Sequence, residues 1–182
     1  MRYKPMTFRV YASLHKLGII AQESEDKLKE APRPEKICGR VVPQDLNALT
    51  MDQLTDLMDV KPGAEINAVR VILGIDPKDL DKEPAVRVVG LVNFIQSELE
   101  RITELFKQLK PHYTSQERQA GVEDLSFGIF GTIDWYARRM GFTDHDEVLK
   151  VQWIKIYECA RIDKENFEYE RRYRDIIYQQ NK

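Results

Sequence analysis

This chain lacks most of what chemistry usually requires. Its two cysteines, Cys38 and Cys159, lie far apart in sequence, so a disulfide framework is not expected and free thiols in a reducing, intracellular setting are. The three histidines, His15, His112 and His145, have no second ligand at helical or zinc-finger spacing, and neither cysteine has another close by. No zinc motif can be written from them. Gly128 and Gly131 are the nearest thing to a phosphate loop, but they follow no strand and fall short of any nucleotide fingerprint. No apolar run reaches the roughly 18 residues of a membrane span, and Val10–Leu17 is too polar for a signal-peptide core. Lys and Arg number 28 against 30 Asp and Glu, a formal charge of −2. That balance argues against an indiscriminate binder of nucleic acid or anionic membrane. Strand signals are also scarce. Arg40–Pro43 alone reads as extended, and with no second strand a sheet is not expected.

What is present is helical. Of the 182 residues 42% are hydrophobic and 32% charged, enough for one core or for two small ones joined by a hinge. The pattern predicts an all-α fold of five or six helices. A short basic helix is expected from about Thr7 to Leu17, followed by a loosely structured connection, Gln22–Arg40, interrupted at Pro32 and Pro34. Thr50 as N-cap, Gln53 at the reciprocal position and Leu49 opposite Leu54 mark the next helix start. A second short helix is expected from about Ala64 to Leu73, then a turn.

Pro84 suits a first helical position, and an apolar face from Val88 to Leu109 predicts the spine of the fold, with Glu98, Arg101 and Glu104 on the opposite side. Gly90 within it would let another helix approach. Pro111–Gly121 reads as an exposed linker. Val122–Met140 reads as an aromatic-rich helix that starts at or after its glycines, stops at Gly141, and forms a hydrophobic joint between the spine and the C-terminal helices. The expected organisation is an N-terminal arm and connector (1–45), a helical core (46–141) and a C-terminal interaction element (142–182).

That last element opens with Thr143 and Asp146 as a capping box, which accounts for the acids of Asp144–Glu147 without a bound cation. Beyond Trp153 an apolar stripe runs at helical spacing but is interrupted at Asp163 and Asn166. Trp153, Tyr157, Phe167, Tyr169, Arg172, Tyr173 and Ile177 are the expected protein interface, since Tyr and Arg are enriched at energetic centres of such surfaces. The rival is a nucleic-acid contact through Arg2, Lys4, Arg9, Arg171 and Arg174, with tyrosines available for stacking. Glu165, Glu168, Glu170 and Asp175 on the same helix would cancel much of its field. Cys38, between Lys36 and Arg40, is placed to favour a thiolate but has no base. Cys159 reads as an inert helical thiol. No catalytic residue, metal site or cofactor is assigned, and a non-enzymatic role is expected.

Two segments, Leu46–Leu57 and Phe130–Trp153, resemble small helical proteins of tailed bacteriophages and prophages, tail assembly chaperones above all. The matching positions in the second are Gly141, Thr143, Glu147, Val148, Leu149 and Trp153. The resemblance implies a non-catalytic role in assembling a phage particle, as a chaperone for the tape-measure protein or as a neck or connector component. It implies protein partners, with a homo-oligomer among them, and a setting in the host cytoplasm or the virion. A nucleic-acid-binding regulator is the alternative. The basic N-terminal arm and the Pro32–Pro34 connector depart from the family pattern.

Overall fold

A computed structural model describes residues 6–16, 28, 30–59, 65–111 and 113–180. Leu17–Lys27, the turn at Pro62–Gly63, His112, Arg2 and Lys4 lie outside the described residues. The fold is helical, at 71% of the described residues, with a long C-terminal helix. The expected count of five or six helices is too low: nine are counted among the described residues. Among the described residues these are eight α-helices and a helical residue at Leu28, besides three 3₁₀ turns. The helices are α1 Phe8–Lys16, α2 Met51–Met58, α3 Ala68–Leu73, α4 Ala85–Gln108, α5 Ser115–Gln119, α6 Gly128–Met140, α7 His145–Leu149 and α8 Trp153–Gln180. The 3₁₀ turns are Glu65–Asn67, Pro77–Lys82 and Val122–Asp124. The extra helices are short ones with local caps. Thr114 and Glu117 form a full capping box that starts α5 inside the expected linker. Asp76 accepts from the Lys78 amide to start the turn at Pro77.

The chain divides into two compact units, Met1–Leu46 with Gln53–Ile102, and Asn47–Asp52 with Thr103–Lys182.

In the first unit Leu54, Leu57, Val69, Leu80, Val88, Leu91 and Ile102 are buried. The α4 helix starts one residue after Pro84, whose carbonyl accepts from Arg87 and Val88. Two flanking bonds, Phe8 N–H to the Glu83 carbonyl at 2.8 Å and Ala85 N–H to the Met6 carbonyl at 2.9 Å, fasten α1 to that start. A sheet does exist, contrary to expectation, though a minimal one. Lys36–Ile37 (β1) pairs antiparallel with Arg40–Val41 (β2). Its turn residues, Cys38 and Gly39, have φ of +46° and +74°, the mirror-image turn that suits the strand twist. The Cys38 amide donates to Glu83 Oε1 at 2.9 Å, which helps hold a non-glycine residue there.

The segment before the hairpin is a strap rather than a loose connection. Ala31 and Pro34 are buried. Arg33 Nη1 donates to the carbonyls of Val42 and Pro43 at 2.9 and 3.1 Å, and its guanidinium lies 5.8 Å from the Phe94 ring centre. Asn93 Nδ2 donates to the Ala31 carbonyl at 3.4 Å. One turn earlier on α4, Gly90 meets the strap directly: a Cβ there would collide with the Pro32 carbonyl oxygen. The approaching chain is extended backbone, not the helix expected. Glu98 is also more than a solvated charge. It takes two 2.8 Å bonds from Arg101 and a 2.9 Å bond from the Leu46 amide. The Arg101 bonds, then the Leu46 amide, hold its carboxyl below the usual glutamate range against a partial burial penalty.

In the second unit two helix starts satisfy one another. Met51 N–H donates to the Val151 carbonyl at 2.8 Å, and Trp153 N–H to the Leu49 carbonyl at 3.1 Å. The first amides of α2 and α8, which have no partner within their own helices, are thereby paired. Trp153, Ile156 and Val148 are fully buried, with Ile133, Tyr136 and Ala137 of α6 nearly so. The rings of Trp153 and Tyr157 stand 6.0 and 5.8 Å from Phe106. The α6 helix ends at left-handed Gly141, where Phe142 N–H reaches the Ala137 carbonyl, as its sequence predicts. The cap of α7 is displaced by one residue from Thr143. Asp144 is extended and its carboxylate accepts from the Asp146 amide at 2.9 Å.

Candidate functional site

The α8 helix has 28 residues, about 42 Å of continuous helix. Its sequence stripe is interrupted because two faces of different phase follow one another. Over the first two turns the inward face is apolar: Trp153, Ile156 and Tyr157 are buried and Ala160 half-buried. The same face then continues as Lys164, Glu168 and Arg171, all half-buried and all charged. Lys164 Nζ donates to the Gln108 carbonyl and pairs with Glu168 at 3.5 Å. Arg171 helps to depress the carboxyl of Glu117 on α5, after the larger effect of the Thr114 amide and hydroxyl bonds.

At about 100° per residue, Ile162, Tyr169, Tyr173 and Ile176 fall within a narrow arc on the opposite side. They are exposed: Tyr169 by 61%, Tyr173 by 55% and Ile176 by 54%. Tyr169 and Tyr173 stack, with ring centres 6.3 Å apart and planes within 14°. Ion pairs brace the flank, Arg161 to Glu158 at 2.8 Å and to Glu165 at 2.7 Å.

The expected interface residues thus separate into two groups. Trp153 and Tyr157 belong to the core and offer no surface. Phe167, Tyr169, Arg172, Tyr173 and Ile177 are all exposed on the distal half of α8, with Phe167 about 160° around the helix from Tyr169. Ile162 and Ile176 complete the outer stripe, whose change of phase is hidden in the sequence by the break at Asp163 and Asn166. Of the basic residues considered for nucleic acid, Arg9 is exposed on α1 in the first unit. Arg174 Nε donates to the Glu170 carbonyl at 3.4 Å. A shallow cleft of about 290 Å³ is lined by Arg171 and Arg172 with Glu168 and Asp175, so its charges balance and offer a phosphate backbone no track.

No family model, curated protein or solved structure matches this chain.

The residues weighed for chemistry are dispersed. Among the described residues no group of three or more His, Cys, Asp or Glu is placed to hold a metal. The expected thiolate at Cys38 is reversed. Burial first, then the carboxylates of Glu83 and Asp79, push this thiol above its ordinary value. Lys36 and Arg40 flank it in sequence, but the groups facing it are acids. Cys159 is half-buried with Arg139 Nη1 at 3.2 Å from its sulfur, and Arg139 Nε donates to Asp163 at 3.0 Å. His145 Nε2 lies 3.3 Å from Asp134 Oδ1, partly exposed, beneath the Phe130 ring.

The expected hydrophobic joint is only half enclosed. Ile133, Tyr136 and Ala137 are buried, whereas Leu125, Phe127, Ile129 and Phe130 face outward. Gly131 makes this possible, because a Cβ there would meet the Phe127 side chain at 2.7 Å. A shallow groove of about 350 Å³ runs past Phe127, Gly131, Trp135, Phe106 and Leu109 to Ala160.

Proposed function

We propose that this protein acts by docking to other protein chains through the distal half of α8, without catalysis. The observation that carries the reading is the change of phase along that helix. A side chain row that only closed the protein's own core would keep its apolar residues inward. Here the inward row becomes charged from Lys164 onward, and Ile162, Tyr169, Tyr173 and Ile176 turn out. Contiguous outward aromatic and aliphatic surface, rimmed by Arg and Glu, is what protein interfaces use. The setting proposed is the one the resemblance implies: assembly of a tailed phage particle, with its subunits or the tape-measure protein as partners.

The test is a tagged full chain in the cell that produces it, compared with a variant carrying Tyr169→Ser, Tyr173→Ser and Ile176→Ser. The parent sediments in a complex heavier than its own 21.3 kDa. The variant keeps its helical circular dichroism and sediments alone. A variant that stays in the complex refutes the docking role of this stripe.

A further inference from the structure

Building on the docking role of α8, we infer that its outer stripe is covered by the same stripe of a second copy of this chain, running antiparallel. Ile162, Tyr169 and Ile176 recur every seven residues, and Asn166, Tyr173 and Gln180 follow each of them by four. All are exposed. This alternation of three- and four-residue steps is the seam of a two-helix pair, in which the residues beside the seam decide orientation.

One flank consists of Glu158, Glu165, Arg172 and Gln179, the other of Asp163, Glu170 and Ile177. In a parallel pair the first flank meets the second about five residues further on. Glu165 would then face Glu170 of the second copy, and Glu158 its Asp163. Neither contact brings opposite charges of the two copies together, since Glu158 and Glu165 already hold Arg161 at 2.8 and 2.7 Å.

In an antiparallel pair like flanks meet. With Asn166 opposite Tyr169 of the second copy, Glu165 faces Arg172, and the two-fold symmetry repeats the contact. On the other flank Asp163 faces Glu170, but Asp163 already holds Arg139 at 3.0 Å. The incoming carboxylate therefore meets a site that contains a cation. Only this orientation sets opposite charges of the two copies against each other, at Glu165 and Arg172. An isologous contact of this kind also closes on itself.

The experiment is light scattering with sedimentation on the purified full chain across a concentration series. The parent reaches twice the 21.3 kDa chain mass. Arg172→Glu alone and Glu165→Arg alone each place like charges at both contacts, and the apparent mass falls to that of one chain while the circular dichroism holds. The double variant restores the dimer. An equimolar mixture of the two single variants does so as well, because each then supplies the charge the other lacks.

A parent that stays at the single-chain mass, single variants that remain dimeric, or a mixture that stays monomeric would each overturn the pairing. The first of these outcomes leaves the docking role standing if the tagged chain still enters a heavier complex that the triple serine variant loses. If that complex is also indifferent to the stripe, both fail.

Discussion

Replacing Gly90 by Ala sets two effects of opposite sign against each other. In the interior of a helix, Gly→Ala ordinarily stabilises by about 1 kcal/mol, through backbone entropy and helix propensity. In this helix the new methyl group would be driven into the Pro32 carbonyl oxygen, with the Pro32 carbonyl carbon at 3.0 Å and the Ala31 oxygen at 3.3 Å. All three atoms are backbone, so no side chain can swing aside. The strap cannot withdraw freely either, because Asn93 holds the Ala31 carbonyl on one side and Arg33 holds Val42 and Pro43 on the other. Overpacking of this kind costs about 1–3 kcal/mol, and each hydrogen bond broken to relieve it costs about 1 kcal/mol more. The clash therefore outweighs the propensity gain, with a net destabilisation of about 2 kcal/mol. Urea denaturation followed by circular dichroism would measure it. Ser97→Ala, on an exposed position of the same helix, provides the contrast, since it gains propensity without a clash and should raise stability by about 0.5 kcal/mol. A Gly90→Ala protein as stable as its parent would show that the strap does not press on α4.

Other expectations use the same denaturation assay or simple chemistry. Ile102→Ala, at a fully buried site, should cost about 2–5 kcal/mol; Leu99→Ala, at a half-buried one, should cost clearly less. Glu98→Gln should cost about 1 kcal/mol once the partial exposure of Arg101 is discounted. Because the folded pKa of Glu98 is lowered, its contribution is present above the unfolded glutamate value and is lost as pH falls through the depressed one, so the acid limb of the parent's stability profile should be steeper than the variant's. For Cys38 the sign is opposite. A raised folded pKa keeps the thiol protonated, so alkylation in mildly alkaline buffer should be slower than for the same chain in denaturant. Stability should decline as pH climbs past the unfolded thiol value toward the raised one.

The elements legible in the sequence were those whose signals are local and whose apolar period keeps one phase. The α4 helix, the left-handed stop at Gly141 and the start of α2 after Thr50 belong to this group. The capping box of Thr114 and Glu117 is equally local, but its polar surroundings have the composition of a linker. The strap and the hairpin were hidden for a different reason. A chain that lies flat on a helix has no period of its own, and Cys38 occupies a turn position where asparagine or glycine would have been recognised. In the candidate site, the aromatic content of α8 was evident, but composition does not say which ring faces in. Trp153 and Tyr157 look like Tyr169 and Tyr173 until the neighbours that enclose them, Phe106 among them, are known.

The rotation of the apolar row along α8 also governs how this protein can change. Residues that hold the fold and residues that face outward occupy opposite sides of one rigid rod over its distal turns. The attachment on the inner side, Lys164 to Gln108, makes no demand on the identity of Tyr169, Tyr173 or Ile176. Substitutions at these outer positions can accumulate without disturbing Trp153 or Ile156, and substitutions in the core leave the outer surface as it was. Such a helix can change its outer surface by drift alone, while the scaffold beneath it stays the same.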